Sequence, residues 1–283
     1  MKLFLLSFVN LLLLISCKKY KPAEAAFFLK PSNTTVAPIN NNTIQQGTAS
    51  NKITDLFLYV NGKFQGVYPV GNLMPIINKN QNVTIDVFPG IKNNGINGTR
   101  VPYPFLDHLS FDTLVESGKT IERTFAFKYG PGVNFDLMEN FELSNNGYKI
   151  KRSPGSAVDY TFASPGDSFE GRSLQVALTS TADIGQVEST IAYSLPAGSS
   201  NVYLELNYKC SGYLIVGLIG DISEKEAFIL NPQDSWNKTY IQLSNAVSNT
   251  PVSDAYKLYF KIVNTSENPD PKFFLDNIKL LHL

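Results

Sequence analysis

Two histidines, two cysteines and 24 acidic side chains are what this 283-residue chain offers for catalysis, and their placement argues against most of it. His108 stands alone, and His282 is one residue from the C-terminus. A Ser-His-Asp or Cys-His device, or a histidine metal site, therefore has little to draw on. The strand-turn nucleophile elbow, the phosphate-cradling P-loop and the dinucleotide fingerprint are all missing. A glycosidase pair of carboxylates is assembled in space rather than in sequence, so the acids leave that option open. The expectation is a protein that binds rather than catalyses.

Residues 89–108 are the first place to look for binding. This stretch is rich in Gly, Asn and Pro and carries Arg100, Tyr103, Phe105, Asp107 and His108. Long connections without regular structure often carry function, and Arg and Tyr are favoured where interfaces concentrate their energy. The alternative is that Tyr103-Pro104-Phe105 folds back to cover the end of its own domain. Lys plus Arg and Asp plus Glu both total 24, and no basic stripe stands out, so no nucleic-acid partner is expected.

The chain opens with Met1-Lys2 and an apolar run from Leu3 to Ile15. That is the layout of a signal peptide, and it is too short for a spanning helix, which needs roughly 20 apolar residues. Leu14-Ile15-Ser16-Cys17 then resembles the lipobox of bacterial lipoproteins. The resemblance implies cleavage before Cys17 and lipid on that cysteine, hence a membrane as partner and a cell outer-membrane location. Several acyl chains at roughly 0.8 kcal/mol per buried methylene give lasting attachment. Lys18-Lys19-Tyr20-Lys21 follow, with Glu24 the first acid, so the surface and periplasmic faces both stay open. With Cys17 modified, Cys210 has no disulfide partner, and a lone cysteine ending an apolar run is most often a small buried hydrophobe.

The elements that must position any site are strands. Charged residues are only 17% of the chain and aromatics 12%, a mixture that favours strands and turns. The expected fold class is all-β: two β-sandwich domains after a signal peptide (1–16) and a lipidated, flexible tether (17–52) with a first strand as an alternative for its end. The first sandwich spans 53–130, the second 131–283, with Gly130-Pro131-Gly132 as a hinge. Asn61-Gly62 between two apolar runs predicts a tight hairpin, because both central positions of a type I′ turn need positive φ. Some eight short strands separated by turn clusters predict a jelly roll in the second half.

Leu58-Tyr59-Val60-Asn61-Gly62 through Pro69 resembles PEGA-like and carboxypeptidase-regulatory-like modules, and the segment from Asp86 to Phe105 is similar to lipoproteins of Bacteroidetes. In the second half, Phe141-Glu142, Gly171-Arg172-Ser173-Leu174, the run from Trp236 to Leu243, and Phe274-Leu275-Asp276-Asn277-Ile278-Lys279-Leu280 occur in the order seen in carbohydrate-binding-module-like, galactose-binding-like jelly rolls. That resemblance implies a possible structural calcium at Glu142 and Asp276, with no other cofactor required. The rival assignment has Glu142 solvated and Asp276 capping the turn at Asn277. It also implies a glycan partner, stacked on exposed aromatics among Tyr213, Trp236 and Tyr240. Tryptophan at the start of a strand is, however, more often core than platform. The rival from another class is an interaction subunit docking on an outer-membrane protein of a transport, secretion or assembly complex.

Overall fold

The computed structural model describes residues 25–38, 46–77, 81–142, 147–198, 201–221, 223–249 and 253–283. Cys17 and the signal segment lie outside the described residues. Within them no helix is long and apolar enough to cross a membrane. Among the described residues the fold is all-β, with a six-residue helix, Ser244–Asn249, and nineteen strands.

The first sandwich contains β1 (Phe27–Val36), β2 (Asp55–Val60), β3 (Lys63–Pro69), β4 (Met74–Ile76), β5 (Gln81–Lys92), β6 (Arg100–Pro102), β7 (Leu109–Val115) and β8 (Thr120–Phe127). One sheet runs β4-β1-β8; the other runs β3-β2-β5-β6, with β7 also on β5. The β2–β3 hairpin turns at Asn61 (φ 49°) and Gly62 (φ 71°), as the sequence predicts.

The second sandwich contains β9 (Asn134–Glu139), β10 (Ile150–Arg152), β11 (Thr161–Phe162), β12 (Leu174–Ala177), β13 (Ile184–Ser189), β14 (Val202–Cys210), β15 (Leu214–Ile219), β16 (Glu224–Leu230), β17 (Gln233–Gln242), β18 (Lys257–Val263) and β19 (Lys272–His282). Its sheets are β10-β13-β18-β15-β16 and β11-β12-β19-β14-β17, with β9 also pairing β19. Period-two alternation puts Leu214, Val216, Leu218, Leu258, Phe260 and Ile262 of one sheet against Leu204, Leu206, Leu275 and Leu280 of the other.

Two expectations need correction. Residues 27–36 are not tether but β1, which runs parallel to β8 and buries Phe27 (1% exposed) and Leu29 (0%) in the first core. Burying two such side chains, each roughly 1.5–3 kcal/mol, outweighs the local preference of this Pro- and Asn-containing segment for open chain. Nor does Gly130 behave as a hinge: its N–H donates to Phe105 O at 2.9 Å, and a Cβ there would sit 2.9 Å from Asp107 Oδ1. The two sandwiches share a core, since Tyr203, Tyr240 and Leu281 of the second pack with Tyr103, Phe105 and Tyr129 of the first.

Candidate functional site

A buried polar knot lies where the sandwiches meet. Glu205, 1% exposed, points out of β14 toward the first sandwich. Its Oε1 accepts hydrogen bonds from Tyr103 Oη (2.7 Å) and Tyr129 Oη (2.8 Å), and its Oε2 is 3.1 Å from the Lys238 ammonium. Lys279 Nζ donates to Tyr129 Oη at 3.3 Å and to Thr48 O at 2.7 Å. Burial alone would raise the Glu205 pKa; Lys238, Lys279 and the two phenols together hold it below the ordinary carboxylate value. Lys279 is pulled down to about 8 by the same burial.

This knot explains the 89–108 segment and corrects its reading as a free binding loop. Tyr103 (2% exposed), Phe105 (0%) and Tyr240 (3%) are interface core, so none can stack on a ligand. Phe105 meets Tyr203 edge-on at 5.6 Å. Asn94 Oδ1 accepts from Gln242 N at 2.9 Å, fixing the segment to β17. Arg100 stays near the surface, 3.5 Å from the buried Asp55 carboxylate. The partner of this segment is the other half of its own chain.

Trp236 is half-buried. Its ring packs 5.6 Å from Phe169 and 6.3 Å from Phe274, while Nε1 donates to Asp167 O at 2.9 Å. These two ring contacts and the indole hydrogen bond make Trp236 a packed anchor for its loop.

Glu142 and Asp276 both grip the 170–173 turn, but as acceptors. Glu142 Oε1 accepts from Arg172 N at 2.9 Å. A Cβ at Gly171 (φ +44°) would lie 1.9 Å from that oxygen, so a larger residue there would displace the exposed Glu142 side chain from this contact. Asp276 Oδ2 accepts from Ser173 Oγ (2.8 Å) and Glu170 N (3.2 Å), and Oδ1 from Asn277 N (2.7 Å). Calcium needs six to eight oxygens with free lone pairs. Here N–H and O–H groups engage three of the four carboxylate oxygens, and among the described residues no cluster of three His, Cys, Asp or Glu side chains forms. Both carboxylates act here as acceptors that fix the turn.

Burial instead pushes the Asp276 carboxyl up to about 6, against its three hydrogen-bond donors and with Glu170 adding repulsion. The folded chain therefore holds this proton more tightly than the unfolded chain, whose carboxyl titrates near about 4. The resulting stability is complete below about pH 4 and is lost as pH rises through about 6. Asp276→Asn should flatten the melting temperature against pH between those values; an unchanged slope would refute the burial argument.

Cys210 is buried, its thiol pushed up to about 11 by desolvation, and it behaves as core.

The surface best suited to a ligand is the outer face of the β10-β13-β18-β15-β16 sheet, which sequence reasoning found only at Tyr213. Gln186, Glu188, Lys257, Tyr259, Lys261, Ile215 and Gly217 share this face by alternation. Exposed Ile229 (43%) and Val263 (38%) mark it as the solvent side. Tyr259, only 2% exposed, packs over Gly217, where a Cβ would meet its ring at 2.5 Å, so it holds the face together rather than meeting solvent. The Lys261 ammonium is 5.0 Å from the ring centroid on that face. Glu224 accepts from Gln186 Nε2 at 2.9 Å and pairs with Lys261. Glu188 pairs with Lys257 (2.9 Å) and Lys151 (3.4 Å). Burial, then Glu224 and Glu226, raises the Tyr259 pKa to about 12, so its hydroxyl keeps its proton. Glu188, Glu224 and Glu226 thus balance Lys151, Lys257 and Lys261, leaving the face without net charge.

At one end the face opens into a groove of about 340 Å³ lined by Ser211, Tyr213, Pro232, Val263, Glu267 and Asn268. Tyr213 is 64% exposed there, an aromatic side chain beside hydroxyl, amide and carboxylate groups.

A second exposed feature lies on the first sandwich. Phe64 (54% exposed), Tyr59, Phe88 and His108 form a ridge across β3, β2 and β5. Successive ring centroids are 5.3, 5.3 and 4.5 Å apart. The first two contacts are tilted at 54° and 65°, and His108 stacks over Phe88 at 16°. The rings cover one another more than they present flat faces.

Fold and surface together define an all-β double sandwich with a polar, aromatic-bearing sheet face. No known family and no curated protein matches the chain. Among solved structures, the family 11 carbohydrate-binding module of the cellulosomal cellulase Lic26A-Cel5E of Clostridium thermocellum is similar over 53% of this chain and 95% of that one, with 20% identity and a TM-score of 0.37. A family 11 carbohydrate-binding module from Clostridium thermocellum in complex with a β-1,3-1,4-mixed-linked tetrasaccharide is similar over 52% and 94%, at 17% identity and TM-score 0.35. A family 29 carbohydrate-binding module is similar over 53% and 88%, at 11% identity and TM-score 0.35.

Proposed function

We propose that this chain is a non-catalytic glycan-binding protein whose site is the Tyr213 groove at the edge of the outer β10-β13-β18-β15-β16 face. The observation that carries this is the exposed Tyr213 ring (64%) in a groove beside Ser211, Glu267 and Asn268, next to a sheet face whose charges are paired. A sugar presents hydroxyls in a ring whose C–H face is apolar, so it needs paired donors and acceptors beside an aromatic surface. Balanced charge suits an uncharged oligosaccharide. Lipid at Cys17 would hold the face at a membrane, which rests on the sequence.

The test is binding of the purified full chain to an array of neutral oligosaccharides. Wild type should bind at least one class. Tyr213→Ala should weaken that binding at least tenfold, a loss of about 1.4 kcal/mol. Absence of binding across the array sinks the proposal.

One observation favours the interaction-subunit reading instead: the Phe64–Tyr59–Phe88–His108 ridge is an exposed apolar strip of the kind that marks contact surfaces. That reading expects an outer-membrane protein to co-purify with the wild type and to be lost in Phe64→Ser.

A further inference from the structure

The joint between the sandwiches holds a cavity of about 90 Å³ lined by Lys52, Thr54, Lys92, Gly95, Asn97, Asn237, Lys238, Thr239 and Tyr240. Three ammonium groups border it, an arrangement whose repulsion needs a cause. Lys52 Nζ reaches Asn237 Oδ1, and Lys92 Nζ donates to Asn97 Oδ1 at 2.7 Å. Both partners are neutral amides, and among the described residues neither lysine has a carboxylate partner. Lys238, 6% exposed, is 3.1 Å from Glu205 Oε2 but not aligned for a hydrogen bond. That carboxylate also faces Lys279, so one negative charge is shared between two buried ammonium groups. Thr239, 3% exposed, leaves its Oγ1 without any hydrogen-bond partner in the described chain.

A buried hydroxyl without a partner costs roughly 1–3 kcal/mol, and unscreened like charges add to that. One ligand would relieve both. We propose that this cleft binds a small oxyanion, a sulfate, phosphate or carboxylate group, between Lys52, Lys92 and Lys238 with the Thr239 hydroxyl as a neutral donor. The volume holds one such group or a few waters, each taking about 30 Å³ in the liquid. The Lys52 ammonium, disfavoured by burial and by Lys92, regains its charge beside an anion. Because residues of both sandwiches line the cleft, a bound oxyanion would tighten the joint. This site is separate from the sheet face and holds whether or not that face binds glycan.

The test is calorimetric titration of the purified full chain with inorganic phosphate, inorganic sulfate and glucuronate, each against sodium chloride at matched ionic strength. Saturable binding of one per chain is expected for at least one of the three, with a concentration-dependent rise in melting temperature. The arm that binds identifies the oxyanion, and glucuronate alone would indicate a sugar acid. Lys52→Gln/Lys92→Gln should reduce that affinity at least tenfold while the chain stays folded, since both side chains reach the surface. Thr239→Val, equal in shape, should also weaken binding without lowering stability in the absence of anion. Saturation in no arm, or saturation unchanged in the lysine double variant, overturns the proposal.

Discussion

Glu205→Ala should lower the unfolding free energy by about 3–5 kcal/mol, the usual cost of removing one partner from a buried ion pair. The substitution leaves the Lys238 ammonium, with 4% of its side chain exposed, without a counter-charge. It also strips the acceptor from the phenols of Tyr103 and Tyr129. Glu205→Gln keeps an acceptor and should cost less. Because the Glu205 carboxyl titrates below its ordinary value in the folded chain, its contribution is present at neutral pH. It disappears as acid carries the pH down through the folded pKa. Urea denaturation at neutral pH measures the difference; a loss under about 1 kcal/mol, the scale of an exposed pair, would mean that water reaches this joint.

Gly217→Ala should disturb the proposed glycan face more than any loss of a charged group. The added methyl would fall 2.4 Å from Lys225 O and 2.5 Å from the Tyr259 ring. The ring must lift from the sheet, or the β15–β16 pairing, already irregular between Val216 and Gly217, must open. Overpacking of this kind costs about 1–3 kcal/mol. Glycan affinity should fall at least tenfold as Tyr259 shifts against Lys261 and Glu224. Gly155→Ala, where an added Cβ meets nothing within 4 Å, is the control and should be neutral. Equal melting temperatures and affinities for the two variants would show that Tyr259 is not held by Gly217.

Local patterns in the sequence were reliable wherever neighbouring residues alone set the geometry. The Asn61-Gly62 turn, the alternation of β14, β15 and β18, and the buried Cys210 all follow from pattern and composition. The Asp276 contact with Asn277 N was foreseeable too, because an Asp side chain commonly accepts from the next turn. Residues 27–36 misled because Pro31 and Asn33 read as open chain, while the long-range pairing with β8 decides their state. Tyr103 and Phe105 read equally as ligand contacts or as a cover for their own sandwich end. Aromatics in a loop carry no mark of what they will touch.

The amino-acid sequence by itself determined an all-β chain of two sandwiches and supplied few groups suited to catalysis, because strand periodicity and turn chemistry act over a few residues. Only the tertiary structure decided which strand faces meet water. Glu205, Lys238 and Lys279 alternate outward like solvent-facing residues, yet the first sandwich covers them. Gln186, Glu188 and Tyr259 alternate outward in the same way and are each 5% exposed or less, while Ile229 (43%) and Val263 (38%) of the same face stay open to water. Alternation fixes the side of a sheet to which a residue points, but docking of the second unit, a contact between segments about a hundred residues apart, fixes what lies there.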